Sequence, residues 1–294
     1  MHLRIADFVI HVSSSDPRLP LHASPGSLRF LVDPRPADVS VGVALGNPHQ
    51  AGQHPCLFDS GGAWQLRRLD DGLLFVCFSS LFGSTPYKTA RVSRAGTEVD
   101  VRMNSRYFDG SRPIDPLEYP LDELIVINLL ASRPGLEIHG CGVVDADGAG
   151  YLFVGQSGAG KSTIARLWLN EAGAIVLSDD RVIVRRHDGA FWMHGTPWHG
   201  EAPLASPAKA RLSGVFLLRQ DVTHDFREIS RASAAARLFA ASFPSFYDAS
   251  ALTRSLEFLD TLTTAVRCGE LGFAPAPSLL DFVRGVAQVR RLQN

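Results

Sequence analysis

The residues best suited to chemistry are Gly155-Gln156-Ser157-Gly158-Ala159-Gly160-Lys161-Ser162, an ungapped match to G-x-x-x-x-G-K-[ST]. Glycines let a backbone turn tightly and bring its N–H groups up to phosphate oxygens. A helix starting at the end of such a loop adds partial positive charge. Lys161 offers a full charge to terminal phosphates, and the Ser162 hydroxyl is a magnesium ligand in loops of this kind. ATP with Mg2+ is therefore the expected cofactor, held by residues 155–162 with Thr163 alongside. The competing view is a glycine-rich turn that binds nothing.

A second constellation follows. Ser178-Asp179-Asp180 closes the short apolar run Ala174–Leu177. Two acids at the carboxyl end of a buried strand, soon after a phosphate loop, stand where a magnesium site belongs. One carboxylate can hold the metal, directly or through water, and the other can accept the proton of an attacking hydroxyl. An acid pair on a surface turn is the bland alternative, and the neighbouring loop tips the balance toward function. Next comes His194-Gly195-Thr196-Pro197-Trp198-His199-Gly200-Glu201. His199 and Glu201 are candidate substrate contacts, while a tight turn pinned by a packed Trp198 is equally compatible.

These residues need elements to hold them. Tyr151–Val154 reads as a buried parallel strand, and Ile164, Ala165, Leu167 and Trp168 recur at helical spacing before Gly173. Strand, loop and helix thus follow in the required order. The Ala174–Leu177 strand is expected directly beside the loop strand, ending at the same edge. Leu136–Val144 reads as a strand turned back by Asp145-Ala146-Asp147-Gly148. His187-Asp188-Gly189 joins a hairpin, and Val215–Arg219 is a further core strand. The rest reads as a helical tail. Leu252, Leu256, Leu259 and Val266 share one face, and Leu279, Phe282, Val283 and Val286 another. Ser278 and Asp281 fit a capping box.

Upstream, residues 1–118 read as a strand-rich domain of unassigned role. Val39, Val41, Val43 and Leu45 alternate with smaller or polar residues, and Asp70-Asp71-Gly72 and Arg94-Ala95-Gly96 read as hairpin turns. A proline cluster between Ser111 and Pro120 marks the boundary. Residues 119–294 form the expected ATP-binding catalytic domain, opening on a helix through Leu121, Leu124, Ile125 and Leu129.

Composition bounds the function class. Lys and Arg total 29 against 30 for Asp and Glu, which argues against a broad nucleic-acid surface. No apolar run approaches the roughly 20 residues that span a bilayer. The first residues lack a signal peptide's pattern, so a cytoplasmic location and no membrane partner are expected. The four cysteines are dispersed, without a C-x-x-C pair, and no H-x-x-x-H pair points to zinc. A homo-oligomer is left open.

His139-Gly140, the loop from Gly155 to Ser162, and Asp179-Asp180 resemble the core of HPr kinase/phosphorylase over roughly residues 125 to 220. Leu177-Ser178-Asp179-Asp180 together with Gly195 to Glu201 is closer still to HPr kinase-like proteins, some relatives of which phosphorylate serine in peptide precursors of modified natural products. The resemblance implies an α/β fold: a P-loop on a mixed sheet related to phosphoenolpyruvate carboxykinase, with a helical C-terminal tail. It implies that Lys161 and the loop hold ATP phosphates and that Asp179 is the general base. It further implies that Asp180 joins Ser162 at magnesium and that His139 sits near the transferred phosphate. Read alone, His139 is an ordinary strand-end histidine. Thr163 stands where the family usually carries Glu, and His194-Gly195 where it carries Arg-Gly, which leaves HPr as acceptor and the reverse phosphorolysis open. The activity so implied is Mg-ATP-dependent transfer of the γ-phosphate to a serine of a peptide or small protein. A small-molecule kinase with the same centre and a non-catalytic nucleotide-sensing or assembly protein remain the alternatives.

Overall fold

The computed structural model describes residues 1–288 apart from 15, 18, 53 and 201–203. The chain divides into two units, Met1–Leu129 and Leu130–Asn294. Among the described residues it is a mixed α/β protein with two mixed sheets and five α-helices. No helix among them is long and apolar enough to cross a membrane.

The first unit holds β1 (His2–Ile5), β2 (Phe8–Ser14), β3 (Val39–Gly46), β4 (Cys56–Asp59), β5 (Trp64–Leu69), β6 (Gly72–Ser79), β7 (Gly83–Ser93) and β8 (Glu98–Asn104) in one sheet, ordered β1-β2-β3-β8-β7-β6-β5-β4. The period-2 pattern of β3 is realised, with Val39, Val41 and Val43 buried between exposed neighbours. Both hairpin turns form. Leu69 pairs with Gly72 across Asp70-Asp71, and Gly96 takes a φ of 72° in the turn from β7 to β8. Helix α1 (Leu121–Leu130) follows.

The second unit contains β9 (Gly135–Val144), β10 (Ala149–Val154), α2 (Lys161–Leu169), β11 (Ile175–Ser178), β12 (Arg181–His187), β13 (Ala190–Gly195), β14 (Lys209–Gln220), β15 (Asp225–Glu228), α3 (Arg231–Ala240), α4 (Ala249–Ala265), β16 (Arg267–Phe273) and α5 (Ser278–Gln288). Its sheet runs β10-β9-β12-β13-β14-β16-β15, with β11 on β9 and a further β10–β14 pairing that closes a ring. One apolar cluster lies on the side that α3 and α4 cover, built on Ile138, Leu152, Val184, Leu238 and Leu259. The other lies under α2 and α5, where Phe153, Trp168, Phe216 and Val283 meet. Strand β10 is buried throughout because clusters cover both its faces.

Four sequence expectations need correction. Strand β11 does not lie beside the loop strand. It pairs antiparallel with β9, and β9 pairs antiparallel with β10 on its other side. The two therefore point the same way with one strand between them. The tail is not wholly helical, since β16 runs parallel to β14 and carries β15 on its outer edge. Gly269 hid this strand: a Cβ there would come within 2.4 Å of the Phe226 ring and 2.7 Å of the Arg227 carbonyl. The position is glycine so that β15 can approach, yet a glycine reads as a breaker. Finally, Leu256 points outward. The buried face of α4 is Ala251, Ser255, Phe258, Leu259, Leu262 and Thr263. Ser278 opens α5, but its hydroxyl bonds His224 Nε2 at 2.9 Å.

Candidate active site

Three parallel strands, β10, β14 and β16, run to one edge of the second sheet. Val154 pairs with Leu217, and Gln220 with Phe273. Strand β11 ends at that edge too, because Gly142 of β9 faces Leu152 on one side and Ser178 on the other. Carboxyl ends of parallel strands are where α/β sheets leave room for ligands.

The glycine-rich loop leaves β10 there and enters α2. Gly158 and Gly160 take φ of 79° and 103°. Gly160 is the N-cap of α2 and offers no side-chain cap, so the first N–H groups of that helix face the loop's concavity. A Cβ on Gly160 would sit 2.5 Å from Phe273 Cζ, which ties the close approach of β16 to the glycine. Lys161 is buried. Its Nζ donates to the carbonyls of Gly155 at 2.7 Å and Gln156 at 3.2 Å, using two of its three N–H bonds. Burial lowers its pKa, while the carboxylates of Asp180 and Asp179 oppose that shift. Ser162 is exposed and Thr163 half-buried on the first turn of α2. From the far side, Gln220 Nε2 donates to Gly158 O at 2.6 Å.

The acid pair sits on a turn that Ser178 organises. Its Oγ accepts from the N–H groups of Asp180 and Arg181, at 3.2 and 3.1 Å, and donates to Trp198 O at 3.1 Å. Asp179 is 4% exposed, with Oδ1 accepting from Gly200 N at 3.1 Å. Asp180 lies between His139 and Arg181: Oδ1 is 2.9 Å from His139 Nδ1, and Oδ2 is 2.6 Å from Arg181 Nη1. Burial resists ionisation of Asp180, but the His139 hydrogen bond with the charges of Arg181 and Lys161 holds its carboxyl below the usual range. His139 Nδ1 also lies 3.0 Å from Arg181 Nη1. That nitrogen can donate to Asp180 or accept from Arg181, not both at once. Arg181 in turn lies 3.4 Å from the fully buried Glu137 and stacks 4.2 Å from the Phe243 ring.

Residues 231–243 carry no motif that announces a role at the site. Beyond Val154 the edge of β9 is taken up by the segment after α3. His139 N donates to Ala241 O at 2.7 Å, Phe243 N donates to Glu137 O at 3.0 Å, and Ile138 bridges Ser242. A cleft of about 540 Å3 separates this segment from the loop, lined by His139, Gln156, Gly158, Gln220, Arg237 and Ala241 among others. Arg237 is held to Glu270 of β16. It had no sequence signal, since a lone arginine on an amphipathic helix reads as a solvated face.

In the segment after β13, Trp198 is buried and its carbonyl anchors Ser178. Thr196 Oγ1 donates to Arg181 O at 2.7 Å. His199 is exposed, with Nδ1 3.0 Å from Gly200 O. Glu201 lies outside the described residues. The loop, Lys161, His139, Asp179 and Asp180 thus come together at one sheet edge. The arrangement offers anion-holding amides, one buried ammonium, an ionised carboxylate and a second carboxylate next to it. Among the described residues there is no cluster of three or more His, Cys, Asp or Glu fit for a metal. A cation sharing phosphate oxygens needs only one or two protein ligands. Ser162 and Asp180 can supply them, since each bonded Asp180 oxygen keeps a second lone pair.

No protein-family model matches the chain, and no curated protein does. Among solved structures, the Hpr(Ser) kinase/phosphatase from Coxiella burnetii aligns over 44% of this chain and 92% of its own length, at 12% identity and a TM-score of 0.25. At that score the likeness carries no argument, and the functional reading rests on this chain's own residues.

Proposed function

We propose that this chain is a Mg-ATP-dependent kinase that transfers the γ-phosphate to a hydroxyl, the acceptor being a serine of a peptide or small protein. The observation that carries the reading is the buried Lys161 at the head of α2, within electrostatic reach of both Asp179 and Asp180. Its Nζ bonds the loop carbonyls of Gly155 and Gln156 and keeps one N–H for a phosphate oxygen. The motif resemblance to HPr kinase-like proteins supports the phosphoryl-transfer class and the serine acceptor.

In this reading the loop amides and Lys161 bind the phosphates and hold them for in-line attack. The serine oxygen bonds to the γ-phosphorus as the bond to the β,γ-bridging oxygen breaks. Its proton passes to the Asp179 carboxylate. The neighbours of Asp180 hold it ionised, which suits it to a cation rather than to a proton. It would hold magnesium with Ser162, and the bound cation would neutralise phosphate charge. His139, fixed by Asp180, faces the cleft beside the loop.

Incubation with γ-labelled ATP, magnesium and a serine-peptide library tests this. Label on serine, absent from matched alanine peptides, is the expected result. Nucleotide binding without transfer to any peptide or small alcohol would overturn the catalytic reading.

A further inference from the structure

The sheet edge that carries the glycine-rich loop extends to both sides of it. On one side Val154 faces Gly140 of β9, and Gly142 faces Ser178, where the acid turn begins. On the other, Val154 faces Leu217 of β14, and Leu217 faces Glu270 of β16. The acid turn and Glu270 thus lie two strands from β10 in opposite directions, each roughly 10 Å away at about 4.8 Å per strand. A nucleoside triphosphate held by the loop with its terminal phosphate toward the acids runs its nucleoside toward β14 and β16.

The two sides differ in chemistry. The cleft beside the loop, about 540 Å3, is lined on the β14 side by Val154, Leu217, Leu218, Ala240 and Ala241, all apolar. Arg237 of α3 lines the same cleft, and its Nη1 donates to Glu270 Oε1. The Arg237 side chain is 40% exposed, so the guanidinium is open to a ligand although one of its edges is occupied. Arg237 and Glu270 offset each other's charge, which makes this end of the cleft a poor place for a further phosphate. A guanidinium anchored by one edge keeps its planar face, and that face stacks on aromatic rings and nucleobases. Apolar walls with one planar polar group suit a nucleobase, and a purine offers the larger ring.

We propose that this end of the cleft is the nucleobase subsite, with Arg237 stacked on a purine ring and Glu270 holding the guanidinium in place. Arg237 then determines which nucleotide is taken, without touching the phosphates. The subsite rests on the kinase reading in one respect, that the loop holds a nucleoside triphosphate.

Titration calorimetry on the full chain with magnesium tests it. The probes are ATP, GTP, CTP and inorganic tripolyphosphate, which has no nucleoside. Arg237→Ala should weaken ATP and GTP by about tenfold, the effect of one lost stacking contact, and leave tripolyphosphate within about twofold. The parent should bind both purine nucleotides about fivefold or more tighter than CTP, and Arg237→Ala should not. Alanine suits a helix and the side chain is part-exposed, so that variant should fold; Arg237→Gln gives a second reading. Glu270→Gln should weaken ATP in the parent but add nothing in the Arg237→Ala background, and a loss in both would remove Glu270 from its holding role. An equal loss of tripolyphosphate in Arg237→Ala would make Arg237 a phosphate ligand and overturn the subsite, as would ATP binding indifferent to both Arg237 changes. Absence of a purine preference in the parent would overturn the stacking assignment. Failure of the parent to bind either ATP or tripolyphosphate would overturn the kinase reading, and the subsite with it.

Discussion

The Gln220 side-chain amide donates to the Gly158 carbonyl at 2.6 Å, joining the end of β14 to the crest of the glycine-rich loop. The loop's amides are useful only if they stay aimed at one point, and this bond restrains them from outside the motif. Gln220→Leu should raise the nucleotide Kd by about five- to tenfold, the effect of one hydrogen bond near 1 kcal/mol. Fluorescent-nucleotide titration checks it. The unfolding midpoint should not move, because Gln220 is exposed.

Lys161→Ala and Asp179→Asn should fail differently. The first removes the buried ammonium, so nucleotide affinity and turnover should both fall. The second keeps the shape and the Gly200 N–H bond but cannot take a proton. It should bind nucleotide within about threefold of the parent while kcat drops by about 10²–10⁴. Single-turnover transfer separates the cases, and parental turnover by Asp179→Asn would remove it from the base role.

Gly160 should tolerate no side chain. Alanine there meets a φ of 103° and a phenylalanine ring at 2.5 Å. Strain and overpacking together predict a loss of about 3 kcal/mol. Adding Phe273→Leu should restore part of it, the steric share, and leave the backbone share. Urea unfolding of the single and double variants reads the difference.

Asp145 predicts a pH dependence. The Arg284 hydrogen bond lowers its pKa against the opposing effect of burial. A depressed carboxyl stabilises the fold above its unfolded pKa, about 3.9, and loses that contribution as pH falls through the folded value. Asp145→Asn should therefore cost about 2 kcal/mol at pH 7, and the gap to the parent should start to narrow only below about pH 4 and close once pH is below the folded value. Denaturation at both pH values decides the sign.

Asp180→Asn should make Lys161 more acidic. Asp180 is the first among the charges that offset the burial of Lys161. Without it the amine should lose its proton more readily. Faster acylation of Lys161 at pH 8, mapped by mass spectrometry, is the expected sign, and an unchanged rate would separate the two groups.

The sequence made much of this legible, and for physical reasons. Glycine at forced backbone positions, a lysine after them and strands such as Leu136–Val144 all leave local signatures. What stayed hidden is what distance alone creates. That β9 lies between β10 and β11 is set by long-range pairing that no local pattern records. Strand β16 was masked by Gly269, whose missing side chain is a packing requirement. Residues 231–243 gave no motif because their contribution is largely backbone, seen in the bonds from His139 N and to Glu137 O. The roles of Ser178 and Gln220 likewise come from what each reaches across the fold, not from the residues beside it.

The splice of Ala241–Phe243 onto β9 has a practical consequence for dissecting this chain. Cutting before residue 241 would strip a strand edge bare beside the imidazole of His139. The exposed amides and carbonyls of Glu137–His139 would then invite a strand from another molecule, and the fragment should self-associate rather than behave as a minimal core.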